Sequence, residues 1–210
     1  MAELIFVRHG QTHGNVAGRW EGWSDDALTP LGRAQAEAVA QRLANEDEDE
    51  FDEVAALYTS PLRRALQTAR IIGAELGLQP VSEDGFREIN FGELSGITLE
   101  EMEAHHPALF ARWKNRMDME FQWPGGERRA DFFHRVACSC DRILARHPED
   151  SVVIVAHGGT VRACLAHLLP DQMSQWWGYA LDNCGLTRVS IKGNGARLIV
   201  LNDGAHSPAQ

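Results

Sequence analysis

The sequence predicts an α/β protein, a three-layer sandwich in which helices flank a mostly parallel central sheet. Three observations carry this. Two apolar runs, Leu4-Ile5-Phe6-Val7 and Val152-Val153-Ile154-Val155-Ala156, have the length of strands. Continuous apolar runs of that length suit strands buried on both faces, as in parallel sheets. Amphipathic helical segments alternate with them, an order that places helices on both sides of one sheet. The 210 residues fit one domain over 1–210, large enough to bury a core without disulfides or metals.

The elements follow in order. Leu4 to Val7 is the first strand and ends in Arg8-His9-Gly10. Thr29-Pro30 starts a helix, with Thr29 as N-cap and Pro30 at the first position; Leu31, Ala34, Ala38, Val39 and Leu43 recur at helical spacing. Val54 to Tyr58 is a second strand. Ser60-Pro61 opens a second helix by the same cap logic, with a stripe of Leu62, Ala65, Leu66, Ala69, Ile72 and Leu76, and Gly77 just past its end. Thr98 and Glu101 form a capping box for a short helix. Residues 105–126 are rich in aromatics, Met and Arg and close with Pro124-Gly125-Gly126, the character of a lid. Glu127 to Arg146 is a helix, and Val152 to Ala156 a strand ending in His157-Gly158-Gly159. A helix follows from about Thr160 to Leu169. Leu186 to Ile191 and Arg197 to Leu201 alternate around Gly193-Asn194-Gly195, the pattern of a hairpin.

Composition excludes several classes. The net charge is −10, with 20 Lys+Arg against 30 Asp+Glu, the wrong sign for a binder of nucleic-acid phosphates. Seven of the acids, Glu46, Asp47, Glu48, Asp49, Glu50, Asp52 and Glu53, form one run, which reads as a solvated loop. Cys138, Cys140, Cys164 and Cys184 lack the spacing of a zinc or redox site and read as thiols. No run approaches a membrane span. The first residues carry no basic, apolar leader pattern, so a cytoplasmic protein with no membrane partner is expected. His9 and His13 are four apart, but no H-E-x-x-H pattern surrounds them; no metal and no cofactor are expected.

Two strands end in the same signal, His9-Gly10 and His157-Gly158. In open α/β sheets, ligands bind beyond the carboxyl ends of the strands. If these strands are neighbours, both imidazoles meet in one crevice, and the glycines let backbone amides approach a ligand closely.

Ordered segments along the chain then resemble the histidine phosphatase superfamily, the phosphoglycerate-mutase-like proteins. They are Leu4 to Thr12 with Asn15; Leu28-Thr29-Pro30-Leu31-Gly32; Ser60 to Ala69; Arg87 to Gly96; and Pro124 to Glu127 with Val155 to Gly159. The resemblance covers roughly residues 3–165 and implies one histidine phosphatase domain over 1–210, with a lid or insertion at about 98–126. It implies that His9 is the nucleophile, forming a phosphohistidine. Arg8, Arg63 and His157 surround the phosphoryl oxygens and Asn15 adds a neutral donor; Gln11, Gly22 and Gly158 complete the phosphate-binding set. Between Arg63 and its neighbour Arg64, the motif register favours Arg63. Two guanidiniums and an imidazolium then supply the charge that a metal supplies elsewhere. Glu88 is the general acid for the leaving alkoxide and then the base for water.

The function expected is a metal-independent phosphomonoesterase acting on a small phosphorylated metabolite. The alternatives are a cofactor-dependent phosphoglycerate mutase and a non-catalytic phospho-ligand binder. Mutase activity is disfavoured by Ile89-Asn90-Phe91-Gly92, where the mutases carry an Arg-His-Tyr-Gly type of stretch. A binder is disfavoured because every catalytic-type residue is present. Arg112, Lys114 and Arg116 can meet a carboxylate or second phosphate, or form a solvated face. Trp176-Trp177 reads as core or an oligomer contact, which admits a homodimer.

Overall fold

The computed structural model describes residues 1–45, 53–169, 175–193 and 195–207. Six strands form one sheet: β1 (Ala2–Arg8), β2 (Val54–Thr59), β3 (Val81–Ser82), β4 (Ser151–Ala156), β5 (Leu186–Lys192) and β6 (Gly195–Asp203). Their order across the sheet is β3-β2-β4-β1-β5-β6. The first four run parallel, and β5 and β6 run antiparallel at one edge. The α/β architecture expected from the sequence is the one found.

The long helices are α2 (Pro30–Ala44), α3 (Arg63–Leu76), α6 (Arg129–Arg146) and α7 (Gly158–Leu168). Shorter ones are α1 (His13–Val16), α4 (Leu99–His105) and α5 (Pro107–Lys114). Strand side chains alternate between the two faces. Ile5, Val7, Val153 and Val155 pack on one side with Ala36 and Val39 of α2 and Ala65 and Ala69 of α3. Leu4, Phe6, Val152 and Ile154 pack on the other with Phe132 and Val136 of α6 and Val161 and Leu165 of α7. Every residue of β4 is buried, which is why Val152 to Ala156 is an unbroken apolar run. A third cluster stands apart. Leu94, Met102, Phe121 and Trp123 are its buried members, with Trp20, Phe91 and Trp113 packed against them.

Local signals act largely as read. The Thr29 hydroxyl accepts from the Gly32 N–H with Pro30 at the first position, a cap worth about 1 kcal/mol. Gly77 ends α3 at φ +69, a conformation that costs glycine little. Thr98 and Glu101 form a reciprocal capping box at α4. Some readings shift. Helix α3 begins at Arg63 with Leu62 at the cap, not at Pro61. The buried face of α2 is Gly32, Gln35, Ala36, Val39, Ala40 and Leu43, rotated from the stripe that Leu31, Ala34 and Ala38 suggested. Small residues let the sheet approach along that line. The acidic segment 46–52 lies outside the described residues, as does Asn194 at the hairpin turn; Lys192 pairs with Gly195 across it. All four cysteines are free. Among the described residues, no helix is long and apolar enough to cross a membrane.

The register of three strands positions the site. Arg8 pairs with Ala156 and Thr59 with Val155. The residues that follow, His9, His157 and Ser60, therefore emerge level at the carboxyl edge of the sheet. The His9 N–H still donates to the Ala156 carbonyl at 2.9 Å, and the Ser60 N–H to that of Val155 at 2.9 Å. Beyond β1 the chain turns over α2 with backbone against backbone. A Cβ on Gly10 would sit 2.3 Å from the Gly32 carbonyl oxygen, so neither a side chain nor a wider turn fits there.

Candidate active site

A cleft of about 360 Å³ opens over these strand ends. Its floor holds Arg8, His9, Asn15, Gly22, Glu88 and Gly158, all expected from the sequence, together with Arg64 and Arg162, which were not. The His9 and His157 rings lie 5.1 Å apart.

His9 is 3% exposed. Its Nδ1 lies 2.8 Å from the Gly10 carbonyl, and its Nε2 lies 3.2 Å from Nε of Arg64. A guanidinium can only donate. Nε2 is therefore the acceptor, and Nδ1 carries the proton and donates to Gly10. Burial, then Arg64 and Arg8, hold His9 well below the ordinary histidine range. The result is a neutral imidazole whose basic nitrogen faces the cleft wall where Arg64 stands.

His157 is fully buried. Its Nε2 is 2.8 Å from the Ser60 hydroxyl, and its Nδ1 is buried with no partner. The Ser60 oxygen also accepts from the Leu62 N–H at 3.3 Å. Burial, then Arg64, His9 and Arg8, push His157 well below the usual range as well. The imidazolium expected at this position is thus replaced by a neutral ring.

The positive charge comes from arginine instead, and here one assignment is corrected. Arg63 is half exposed and reaches out to Asp25 at 3.5 Å. Arg64 is 1% exposed; it meets His9 and donates to the carbonyls of Gly22 at 2.7 Å and Ser24 at 3.1 Å. The physical reason is helical phase. Arg64 shares the buried stripe of α3 with Ala65, Thr68 and Ala69, one turn from Thr68, whose hydroxyl accepts the Gly10 N–H at 3.1 Å. Arg63 falls off that stripe. Gln11 is corrected too. It does not line the cleft: its backbone N–H donates to Gln35 and its side-chain oxygen accepts from Thr29, so it ties the loop to α2.

Arg8 donates to the Leu181 carbonyl at 2.6 Å, while its Nε is buried and unpartnered. Asn15 is fixed by the capping box with Thr12 at α1. Its side chain donates to Glu21 at 3.3 Å and accepts from Asn183 at 2.9 Å. Asn183 also donates to the His9 carbonyl at 2.9 Å. Buried Glu21 lies 3.5 Å from Arg64; burial raises its carboxyl even though Arg64 opposes the shift. Gly22, at φ +53, turns its carbonyl toward Arg64.

Glu88 stands over the N-terminus of α7. One carboxylate oxygen accepts from the Gly159 N–H at 3.0 Å and the other from its neighbour Ile89 at 3.0 Å. A helix N-terminus suits a carboxylate because its amides are free and its dipole is positive there. A Cβ on Gly159 would lie 2.4 Å from Glu88 Oε1, so glycine is what lets the carboxylate sit so close. Among the described residues, no group of three or more His, Cys, Asp or Glu is placed to hold a metal.

Of the residues the sequence did not mark, Arg64 and Arg162 carried a usable signal. Arg162 lies one turn beyond Gly158 on the same helix, facing the same opening. Asn183 and Ser60 carried none, since their roles arise only when distant segments meet.

A neutral imidazole nitrogen beside the guanidiniums of Arg8 and Arg64 suits a tetrahedral anion, and that is the setting of a phosphoryl-handling protein. The chain matches the model of the histidine phosphatase superfamily (branch 1) over residues 4–204 and belongs to that superfamily. It is 33% identical over 207 residues to phosphoserine phosphatase 1 of Hydrogenobacter thermophilus, spanning 98% of this chain and 94% of that one. It is 34% identical over 181 residues to glucosyl-3-phosphoglycerate phosphatase of Mycobacterium tuberculosis, spanning 82% and 78%. The solved structure of mycobacterial glucosyl-3-phosphoglycerate phosphatase complexed with VO3 superposes with a TM-score of 0.82 at 33% identity, covering 95% of this chain and 98% of that one.

Proposed function

We propose that this phosphohydrolase is a metal-independent phosphomonoesterase that hydrolyses a small phosphorylated metabolite through a phosphohistidine at His9. The observation that carries the reading is the fixed tautomer of His9: Nδ1–H is held by Gly10, so Nε2 keeps the lone pair, which accepts from Arg64 until it attacks. Nε2 attacks phosphorus and the P–O ester bond breaks. Arg8, Arg64 and His157 donate to the phosphoryl oxygens as charge spreads over them. Glu88 hands on the proton that the departing alkoxide takes. The resulting carboxylate takes a proton from water, which attacks the phosphohistidine. The P–N bond breaks, and inorganic phosphate and neutral His9 are restored. Asn15 and Asn183 hold the His9 loop, and Gly158 leaves room for the phosphoryl group. The segment 98–126 is the lid over the ester's organic end. The relatives named as phosphatases support hydrolysis over transfer to a second hydroxyl.

The test is base-quenched mass spectrometry after mixing with an aryl phosphate. A phosphoryl adduct on the peptide that holds His9, absent in His9→Ala, is expected. Turnover with no adduct at any quench time, or steady hydrolysis by folded His9→Ala, overturns the nucleophile.

A further inference from the structure

Residues 87–91, which carry Glu88, lie between two short 3₁₀ turns, Asp84–Phe86 and Gly92–Leu94, outside any strand or α-helix. Buried backbone groups still need partners, and here one guanidinium supplies them. Arg135 of α6 gives its Nη1 donors to the carbonyls of Gly85 at 2.9 Å and Arg87 at 2.8 Å, and one Nη2 donor to that of Glu88 at 2.9 Å. Its Nε and second Nη2 donor grip the two carboxylate oxygens of Glu127 at 2.7 and 2.9 Å. An arginine has five N–H donors, and each of these has its acceptor. Glu127 closes the ring. Its carboxylate accepts the Asn90 N–H at 3.2 Å, and its own N–H donates to the Asn90 carbonyl at 2.9 Å. The side chains of the pair are 22% and 14% exposed, and neither residue lines the cleft.

The clamp reaches the Glu88 carboxylate through one peptide unit, which turns as a rigid plate. In the plate that joins Glu88 to Ile89, the carbonyl accepts from Arg135 and, at 2.7 Å, from Nε1 of Trp23. The N–H of the same plate donates to Oε1 of Glu88 itself. The other carboxylate oxygen rests on the Gly159 N–H. Turning the carbonyl away from its two donors would swing that N–H off the carboxylate and leave it on Gly159 alone.

We infer that Arg135, oriented by Glu127, is the positioning residue for Glu88: it sets the peptide plane that aims the carboxylate, and so governs proton transfer to the leaving group without touching substrate. This rests on the reading of Glu88 as the leaving group's proton source and deepens it. A strut with no such role would, on removal, loosen the site as a whole and slow every ester alike.

The experiment measures kcat/KM, which reports on the step that breaks the ester bond, for phenyl phosphate and p-nitrophenyl phosphate. Phenolate gains from a proton as it leaves, and nitrophenolate barely does. Misaiming a catalytic group by about 1 Å costs about 10²-fold. Arg135→Met is therefore expected to lower kcat/KM for phenyl phosphate by about 10- to 100-fold and that for p-nitrophenyl phosphate by less than about threefold. Arg135→Lys regains part of the loss, since a point charge replaces the fork. Glu127→Gln, which keeps the shape and removes the charge, gives a smaller loss with the same preference between esters. Adding Arg135→Met to Glu88→Gln costs less than about threefold more on phenyl phosphate, because the group it aims is gone. Equal slowing of both esters in the Arg135 and Glu127 variants that are folded by circular dichroism, no slowing in any of them, or losses that multiply in the double variant each overturn the inference and leave Glu88 in its role. If Arg135→Met does not fold, Arg135→Lys and Glu127→Gln decide by the same criterion. Equal slowing of both esters by Glu88→Gln, or no phosphate release from phenyl phosphate by the wild type, overturns the reading of Glu88 and the inference with it.

Discussion

The two ends of the cleft are built by different means. At the phosphoryl end, His9, His157 and Ser60 are set by strand register, and their neighbours are held by backbone groups: Gly10 on His9, Gly22 on Arg64, Gly159 on Glu88. At the lid end, stacked aromatic side chains carry the position, together with Arg129, which donates to the carbonyls of Trp113, Asn115 and Asp118. Trp20 packs against Phe91, Trp113 and Trp123 at 5.2–5.5 Å between ring centres, and Arg116 rests on Trp113. Geometry anchored in sheet hydrogen bonds tolerates almost no change, whereas an aromatic cluster can be repacked at modest cost if volume is kept. One end therefore fixes the chemistry and the other is free to choose the substrate.

That contrast is open to attack from the phosphoryl end first. Removing the nucleophile should cost the most: His9→Ala is expected to lower kcat by about 10⁴-fold or more, with near-native circular dichroism. Next comes the arginine pair. Arg64→Met is expected to lower kcat/KM by about 10²–10³-fold, the scale of one lost transition-state donor, whereas Arg63→Met stays within about twofold. Comparable losses at both positions would break the assignment by helical phase. Glu88→Gln should slow an alkyl phosphate by about 10²–10⁴-fold and p-nitrophenyl phosphate far less, because nitrophenolate leaves without a proton. Equal slowing would move Glu88 from proton donor to binding.

Acid stability gives a smaller effect with a definite sign. His9 and His157 are held well below the ordinary histidine range when folded, while the unfolded chain protonates them near pH 6.5. Below that pH the unfolded state binds more protons, so stability is full above pH 6.5 and falls as pH drops toward the folded values. The loss is at most about 1.4 kcal/mol per pH unit for each ring. Denaturant titrations from pH 7.5 to 5 should show it, and it should shrink in His157→Gln. Smallest of all is chelation: EDTA should leave the rate unchanged, because guanidinium groups rather than a metal face the phosphoryl oxygens. Loss on chelation with recovery on adding Mg²⁺ would refute this.

What was legible in the sequence follows the same division. Strand ends, the Thr29 cap, the Gly77 terminus and the Thr98 capping box are encoded within a few residues, and local chemistry is enough to read them. His9, His157, Arg8, Asn15 and Glu88 were found because each belongs to a short motif at an element's end. The neighbour choice between Arg63 and Arg64 went astray because it was made by motif register, whereas the phase of α3, which turns Arg64 inward beside Thr68, decides it. Ser60 looked like a helix cap, and its oxygen does accept from the Leu62 N–H; only the approach of β4 brings His157 against the same hydroxyl. Asn183 and the neutrality of His157 are tertiary facts, the first a meeting of segments far apart in the chain and the second a matter of desolvation.

The contact between Gly10 and Gly32 has one more consequence. Gly32 lies on α2, lines no part of the cleft and offers no chemistry, yet a Cβ there would fall 2.1 Å from the Gln11 carbonyl oxygen. Even alanine would lever the turn that follows His9 off its seat. The aim of the nucleophile is thus hostage to a residue that a survey of the cleft would pass over. Variants of Gly32 would turn up among inactive clones as folded proteins with an intact set of reactive groups, disabled by misdirection alone.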